Sequence, residues 1–286
     1  MWPFTRQPTV PVLRFAGPIG MATPLRPGLS IATAASAIER AFGLSKTPAV
    51  AVMINSPGGS PVQSSLIFKR VRQLADEKKK KVYVFCEDVA ASGGYYLAVA
   101  GDEIYADACS IVGSIGVISA TFGLDKAIAR LGVERRVYTA GEAKGSLDVF
   151  QPEKADDVER LKAIQRDVHD VFIGVVKDRR AGRVKGPDQE IFSGSFWSAP
   201  KALEFGLIDG ISDVRTKMRD VFGEKVRLKP VPIGPGGLLG RIRKLPSLAA
   251  GLDCAPGGGG SALPAALVED ALSAIEARAL WSRYGL

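Results

Sequence analysis

The hydrophobic pattern along the chain switches repeatedly between two periods, one typical of strands and one typical of helices. Continuous apolar runs of strand length occur at 10–15, 49–54 and 82–86. Apolar residues at helical spacing separate these runs, over 30–42 and 61–78. Because strands that alternate with helices form right-handed βαβ units, the pattern predicts an α/β fold with a parallel sheet.

The middle of the chain continues the same pattern with shorter elements. It predicts strands over 103–106, 115–119 and 134–139, helices over 126–131 and 153–180, and a closing α/β segment over 191–221. No internal repeat is visible beyond the doubled strand, turn and helix of the first hundred residues.

The composition changes after residue 227, where prolines and glycines become frequent. Prolines occur at 230, 232, 235, 246 and 256, and residues 257–260 are consecutive glycines. This predicts one compact domain over 1–229 and, over 230–286, a Pro/Gly-rich basic linker with a helical tail. The tail helix is expected over 264–281, where it could dock on the body of the protein or on another subunit.

The charge and the cysteines say more about the cellular compartment and the possible partners of the protein than about its reaction. The net charge of +8 and the pI near 9.4 permit contact with anionic lipid or nucleic acid without requiring either. Three cysteines without metal spacing indicate a reducing compartment, and we expect no metal or other cofactor. No signal peptide and no apolar span of about 20 residues is visible, which favours a cytoplasmic protein.

Basic and apolar residues interleave over 238–245, a pattern suited to an anionic membrane surface. We therefore expect peripheral contact with the inner face of a membrane as one possibility for this stretch. A solvated tail is the simpler interpretation. No nucleic-acid partner is expected.

Ser92 lies between the strand predicted at 82–86 and the helix predicted over 95–100. A serine at a strand-to-helix turn presents its hydroxyl above the sheet edge. Its neighbours Ala91, Gly93 and Gly94 are small, which allows a substrate backbone to approach closely. We therefore expect Ser92 to be a nucleophile.

A serine nucleophile needs a base, and the chain offers a histidine and several lysines. His169, the single histidine, lies within the helix predicted over 153–180, away from any predicted strand end, which favours an ordinary helix residue. Lys144 lies in a Gly/Ala-rich loop after a predicted strand, away from other basic residues. A lysine base must be neutral, which requires its pKa to fall from ~10.4 to ~7–8. Taken alone, the position of Lys144 does not distinguish a base from an ordinary loop lysine.

Backbone N–H groups in a glycine turn are suited to stabilise the oxyanion of an acyl transfer. Gly58 and Gly59 follow the strand predicted at 49–54, and Gly93 follows the serine. Since parallel strands end at the same sheet edge, both turns are expected side by side. A phosphate-binding turn is less well supported, because residues 55–59 lack the Walker lysine and the full G-x-G-x-x-G pattern.

Four short motifs connect these candidates to a known family. They are Asn-Ser-Pro-Gly-Gly at 55–59, Ala-Ser-Gly-Gly-Tyr-Tyr at 91–96, Gly-Ser-Ile-Gly-Val at 113–117 and Gly-x-x-Lys at 141–144. In order and spacing they resemble half-length members of the signal peptide peptidase A (SppA) family of Ser-Lys serine peptidases. The resemblance extends over residues 10–225.

The resemblance implies a ClpP/crotonase-like superfold of repeated ββα and βαβ units, with a C-terminal helical or extended segment. It implies that Ser92 is the nucleophile, Lys144 the general base and Ser114 the residue that hydrogen-bonds and orients the lysine. Gly58 or Gly59, together with Gly93, would then form the oxyanion hole.

The resemblance also implies a homo-oligomer in which Lys144 of one protomer reaches Ser92 of a neighbour. The implied substrates are extended apolar peptides, such as remnant signal peptides or fragments of membrane proteins. Residues 145–150 differ from the usual continuation of the family motif, which leaves Lys126 and Lys154 as alternative bases.

Two other function classes stay open on the residues alone. A crotonase-like acyl-CoA enzyme would share the oxyanion turn but has no use for an exposed serine nucleophile. A non-catalytic oligomeric scaffold with a relic site would not need the intact serine, lysine and glycine motifs.

Overall fold

One eight-stranded sheet organises the computed structural model, which describes residues 7–21, 28–141, 143–234 and 262–286, with residues 262–269 described by their backbone alone. The strands are β1 (Thr9–Ala16), β2 (Ala49–Ser56), β3 (Lys81–Ala91), β4 (Glu103–Ala106), β5 (Ile111–Gly113), β6 (Phe196–Ser198), β7 (Gly210–Ile211) and β8 (Arg227–Pro230). Their order is β6-β5-β3-β2-β1-β8, and β4 pairs with both β3 and β7. Every pair is parallel except β5 with β6. The predicted α/β fold with a parallel sheet is therefore confirmed.

Over the first hundred residues the helices connect the strands in the order that the hydrophobic pattern predicts. They are α1 (Ile31–Gly43), α2 (Pro61–Lys78), α3 (Gly93–Ala98), α4 (Asp125–Arg130), α5 (Ala155–Arg179), α6 (Asp188–Ile191), α7 (Ala199–Glu204), α8 (Val214–Phe222) and α9 (Ala262–Ser282). Local chemistry determines several of their starts. Ser30 and Thr33 form a reciprocal capping box at α1, and Ser60 caps α2 with a proline in its first turn.

Two hydrophobic layers cover the two faces of the sheet. The larger one packs α1, α2, α3 and α5 against one face, and it buries residues such as Leu13, Val84 and Phe172. The smaller one lies on the other face around Tyr83, Phe85 and Met218. Burial on both faces explains why β2 is a nearly continuous apolar run rather than an alternating one.

Two predicted strands are wrong. Residues 115–119 follow β5, which ends at Gly113 because the backbone turns there, with φ of +113° at Gly113 and +53° at Ser114. Residues 134–139 form no strand either. Both stretches contain β-forming side chains, but no strand of the protomer lies beside them to complete the backbone hydrogen bonds within the described residues.

The predicted helical tail is present and packs on the body of the protein. Trp281, in the last turn of α9, and Tyr284, just after α9, contact a small apolar cluster around Val89 and Ala91 of β3. β8 pairs with β1, and Val231 just beyond it is buried in the larger core, whereas the boundary near residue 229 stays a prediction. Residues 235–261, which include most of the predicted linker, the basic stretch 238–245 and Cys254, lie outside the described residues. In the described ranges, no helix has the length and apolar character needed to cross a membrane.

Candidate active site

The pairing of β3 with β5 brings two of the predicted site serines together. Ala91 and Gly113 are register partners at the ends of these strands, so the residues that follow them, Ser92 and Ser114, are neighbours. The Ser92 N–H donates a hydrogen bond to the Gly113 carbonyl at 2.8 Å. The carboxyl edge of a parallel sheet is the usual position of a site in this fold class.

Ser92 has an unusual backbone conformation, with φ of +52° and ψ of −123°. A non-glycine residue in this region is strained, and strain of this kind occurs where the fold must aim a functional side chain. Ser92 is half-buried, and its hydroxyl makes no hydrogen bond to any described residue. The serine is thus held above the start of α3 with its oxygen available.

The glycine turn after β2 packs directly against the serine. A Cβ added to Gly58, which has φ of +101°, would lie 2.8 Å from both the Ser92 Cβ and the Gly93 nitrogen. At Gly59 it would lie 2.2 Å from the Ile19 carbonyl oxygen, and at Gly93 2.5 Å from the Ser64 hydroxyl. Gly58 is therefore required for the approach of the two turns, whereas Gly59 makes room for Ile19 and Gly93 for Ser64.

The backbone N–H groups of these glycines differ in their partners. The Gly58 N–H donates to the Ser56 hydroxyl at 3.2 Å. The N–H groups of Gly59 and Gly93 donate to no acceptor in the described part of the chain. Two of the three predicted oxyanion donors are thus free to bind an exogenous oxygen.

Ser114 is almost fully buried, with 5% of its surface exposed, and has a positive φ of +53°. Its N–H donates to the Ser195 carbonyl at 2.7 Å, which anchors the turn to the loop before β6. Its hydroxyl lies 3.4 Å from the hydroxyl of Tyr284, a residue of the C-terminal tail. Ser114 is therefore held by partners distant in sequence.

An apolar cavity of about 440 Å³ opens beside Ser92. Its walls come from α2, α3, α5 and the segment after β5. Apolar lining side chains are Val62, Leu66, Tyr96, Val117, Val171 and Phe172, and Lys69 and Asp167 also line the cavity. This volume is within the range of small-molecule and side-chain pockets. The cavity can therefore accept a large apolar side chain next to the serine hydroxyl.

The structure does not bring the predicted base to Ser92 within one protomer. Lys144 is exposed in a loop, where its N–H donates to the Gly141 carbonyl at 3.2 Å, and it does not line the cavity. Lys126 and Lys154, the two alternatives, are also exposed and line no part of the cavity. The predicted nucleophile, glycine turn and Ser114 are thus assembled, and the lysines are apart from them.

His169 lies closer to the site than its place in the sequence suggests. The expectation that it is remote from a strand end is wrong, because α5 passes beside the segment that follows β5. The His169 Nε2 lies 3.0 Å from the Ile115 carbonyl oxygen. Since a carbonyl only accepts, the hydrogen is on Nε2 in this arrangement. The His169 ring is thus hydrogen-bonded to a backbone carbonyl group, and it does not line the cavity around Ser92.

The described cysteines offer no competing nucleophile. Cys86 is buried in the core, as predicted, and burial raises the pKa of its thiol to about 12, so it stays protonated at neutral pH. Cys109 is exposed and lies outside the cavity beside Ser92. Within the described ranges, no group of three or more His, Cys, Asp or Glu residues is arranged to hold a metal ion.

Sequence reasoning missed the contribution of the C-terminal tail. Tyr284 is 7% exposed, and its ring lies edge-to-face on Phe196 with ring centroids 5.0 Å apart. Neither residue belongs to a motif, and 170 positions separate Tyr284 from Ser114. No local signal in the sequence could have connected them.

Comparisons with known proteins give a family match and several similar chains. The model for Peptidase family S49 matches residues 75–225, more than half of the chain. The chain is 52% identical over 282 residues to the Na(+)/H(+) antiporter NhaA of Brucella abortus, which covers 97% of this chain and 37% of that protein.

Two further relatives have protease names. The chain is 32% identical over 170 residues to the chloroplastic serine protease SPPA of Arabidopsis thaliana, covering 58% of this chain and 24% of the relative. It is 29% identical over 186 residues to protease 4 of Salmonella typhi, covering 63% of this chain and 29% of the relative. The chain thus spans well under half the length of each of these three relatives.

Proposed function

The chain belongs to Peptidase family S49, and on that basis we propose that it is a serine peptidase with Ser92 as its nucleophile. One observation supports this most directly: Ser92 stands on a strained turn, with a free hydroxyl, at the mouth of an apolar cavity. A peptide that places an apolar side chain in the cavity would bring the carbonyl group of that same residue to the Ser92 oxygen. The peptidase family match argues against an acyl-CoA enzyme.

The free N–H groups of Gly59 and Gly93 are the proposed oxyanion donors. In the tetrahedral intermediate the carbonyl oxygen becomes negatively charged, and two fixed N–H groups stabilise that charge. Gly58 contributes shape rather than a donor, because its own N–H already bonds the Ser56 hydroxyl. Its lack of a side chain lets the donor turn reach the serine.

Lys144 is the proposed base, supplied by a second copy of the chain. The amine takes the proton of the Ser92 hydroxyl as the oxygen attacks, and later gives it to the leaving amine. Water then hydrolyses the acyl-enzyme and restores the serine. The exposure of Lys144 in its own protomer supports a partner in trans, since the loop is available to a neighbour. Ser114 lies beside Ser92, where it can hydrogen-bond the incoming amine.

The proposed substrates are extended apolar peptides, such as remnant signal peptides or fragments of membrane proteins. Leu66, Val171 and Phe172 give the cavity an apolar wall that favours a large aliphatic or aromatic side chain before the cleaved bond. A charged side chain there would lose its hydration without gaining a matched partner.

The test is hydrolysis of a fluorogenic peptide with leucine before the cleaved bond. Ser92→Ala is expected to lower kcat by at least ~1000-fold, as removal of a nucleophile does in other serine peptidases. Lys144→Ala is expected to be similarly inactive. Ser36→Ala, which changes an exposed serine on α1, serves as the control and should retain full turnover.

Turnover that survives Ser92→Ala would disprove the serine peptidase proposal. Turnover that survives Lys144→Ala alone would assign the base to another residue, and His169→Asn would then be the next variant to measure. A peptide with aspartate in place of leucine is expected to be a poor substrate of the unmodified protein.

A further inference from the structure

The C-terminal tail reaches the predicted active site at a single polar contact point. After α9, Tyr284 inserts its ring between Phe196 and the ends of β3 and β5, so that the side chain is buried while its hydroxyl points into the site. Tyr284 lies outside residues 75–225, the part of the chain that the family model matches. The contact is therefore a feature of this chain rather than of the matched motifs.

The Tyr284 hydroxyl faces two groups that border the Ser92 site. It lies 3.4 Å from the Ser114 hydroxyl and 3.5 Å from the Pro57 carbonyl oxygen. Ser114 follows β5 beside Ser92, and Pro57 precedes Gly58 in the glycine turn. Both distances exceed the ~2.7–2.8 Å of a well-formed O–H···O bond, as is common in catalytic sites without substrate.

We propose that Tyr284 is a positioning residue of the active site, whose hydroxyl donates its single proton to Ser114 and so orients the Ser114 side chain. This inference rests on the proposed serine peptidase function. Among the described residues Tyr284 makes no hydrogen bond to Ser92 and does not line the cavity, so it acts through Ser114.

The chemistry of the hydroxyl groups explains how this positioning works. A serine hydroxyl has one proton and two lone pairs. When Tyr284 donates to Ser114, it occupies one lone pair and fixes the rotation of the hydroxyl. The remaining lone pair is then directed at the amine that enters the site.

The same donation influences the protonation of that amine. A hydroxyl that already accepts one hydrogen bond is a weaker acceptor for a second donor. Ser114 therefore stabilises the ammonium form of the base less when Tyr284 is present, which favours the neutral amine that catalysis needs. Loss of the Tyr284 hydroxyl should shift the balance towards the cation.

The experiment compares Tyr284→Phe with the unmodified full chain, using the fluorogenic leucine peptide. The phenylalanine keeps the ring packing on Phe196 and removes only the hydroxyl. We expect kcat to fall about three- to tenfold, the size of effect that one hydrogen bond has. KM should stay within about twofold, because the cavity is unchanged. The acid limb of the kcat/KM profile should move to higher pH.

Tyr105→Phe is the matched control. It removes a tyrosine hydroxyl that bonds Glu103 at a distant part of the sheet, and it should leave kcat and the pH profile unchanged. Tyr284→Phe is also combined with Ser114→Ala. Because Tyr284 acts through Ser114, its effect on kcat should shrink in that background.

Three results would overturn the inference. An unchanged kcat and acid limb in Tyr284→Phe would show that the hydroxyl orients nothing. A rise in kcat would show that the tail obstructs the site instead. Fully additive effects with Ser114→Ala would assign Tyr284 a purely structural role. The proposed function is judged separately, because Ser92→Ala tests it whatever Tyr284→Phe does.

Discussion

At the scale of single residues, the site depends on positions where a side chain is absent. Gly58 and Gly93 let the turn after β2 and the turn after β3 approach within van der Waals contact, and Gly59 makes room for Ile19 beside them. Ser92 and Ser114, both with positive φ, are the exceptions that keep a side chain in a strained conformation. The fold tolerates this strain because the paired ends of β3 and β5 impose the backbone path.

Gly94 allows a direct test of this close approach, since its φ is not in the positive region and only space limits it. An added Cβ would lie 2.4 Å from the Ser56 carbonyl oxygen. Gly94→Ala is expected to lower the free energy of unfolding by about 1–3 kcal/mol, because backbone atoms must move apart. Peptide turnover should fall with it, since the glycine turn moves relative to Ser92.

Gly174→Ala is the matched control for this change. Gly174 lies within α5, where an added Cβ meets nothing within 4 Å. The substitution should raise the free energy of unfolding by up to about 1 kcal/mol through helix propensity. Chemical denaturation measures both variants. A Gly94→Ala protein as stable as Gly174→Ala would contradict the packing of α3 on β2.

At the scale of elements, α5 connects the cavity to the opposite end of the sheet. Phe172 and Val171 line the cavity near its middle, and Arg180 follows its last turn. Arg180 is 1% exposed and donates to both carboxylate oxygens of Asp209, at 2.7 and 3.0 Å. This ion pair ties the end of the helix to the loop before β7.

Because of the Arg180–Asp209 pair, we expect the protein to lose stability at acidic pH. Burial alone would raise the pKa of Asp209, but hydrogen bonds from Arg180 and from the Ile104 N–H outweigh it and lower the pKa. Because the pKa of Asp209 is lowered in the folded protein, its carboxylate contributes fully to stability at pH values above ~3.9, the ordinary pKa of an aspartate. This contribution is lost as the pH falls below that value.

Asp209→Asn should therefore lower the free energy of unfolding at pH 7 by about 3 kcal/mol, because it leaves a buried guanidinium without its anion. The variant should also lose less stability than the unmodified protein between pH 5 and pH 2. Glu204→Gln, which breaks the exposed pair with Lys201, is the control and should change stability by less than about 1 kcal/mol. Equal acid sensitivity of Asp209→Asn and the unmodified protein would contradict this account.

At the scale of the whole molecule, the segment between Ser114 and α5 exposes much apolar surface in the protomer. Large apolar side chains on it are exposed, with Phe122 at 83% and Tyr138 at 89%. Further exposed apolar side chains on it are Ile118, Leu131, Val133 and Val137. Such a surface is typical of a protein–protein interface, and it carries Lys144.

We expect this segment to pack on a neighbouring copy and to bring Lys144 to that copy's Ser92. Mixing inactive Ser92→Ala with inactive Lys144→Ala should then restore part of the turnover, because some sites combine an intact serine with an intact lysine. Energy transfer between labelled protomers verifies that subunits exchange. Complete inactivity of a mixture that exchanges would exclude a site shared in this way.

Phe122→Asp provides a companion measurement at the same scale. A charge at the centre of this apolar surface should weaken self-association and lower turnover together. Lys162→Asp, which changes an exposed residue of α5 outside the cavity, is the control and should leave both unchanged. Light scattering and the peptide assay report the two quantities.

Much of the fold could be predicted from the sequence. The alternation of apolar runs and helical spacing identified the parallel sheet, and α2 and β4 have the predicted bounds. The Ser92 turn and the glycine turn were recognisable because each is a continuous motif at a strand end. These features are local, since a buried face requires apolar residues at every second position of a strand or at helical spacing in a helix.

The two wrong strands show where this local reasoning stops. Residues 134–139 have a strand-like composition, but a strand also needs a partner for its backbone groups, and composition does not reveal whether one lies nearby. The position of His169 beside Ile115 is similar, because it depends on how α5 crosses the sheet.

The sequence by itself thus determined the α/β class, the alternation of strands and helices over the first hundred residues, and the motifs around Gly58 and Ser92 that resemble those of a peptidase family. Only the tertiary structure decided that Ser92 and Ser114 are neighbours, that Lys144 is apart from both in one protomer, and that Tyr284 reaches Ser114. The physical reason is that periodicity and turn chemistry act over a few residues. A contact across 170 positions arises instead from the packing of complete elements, which no short stretch of the chain encodes.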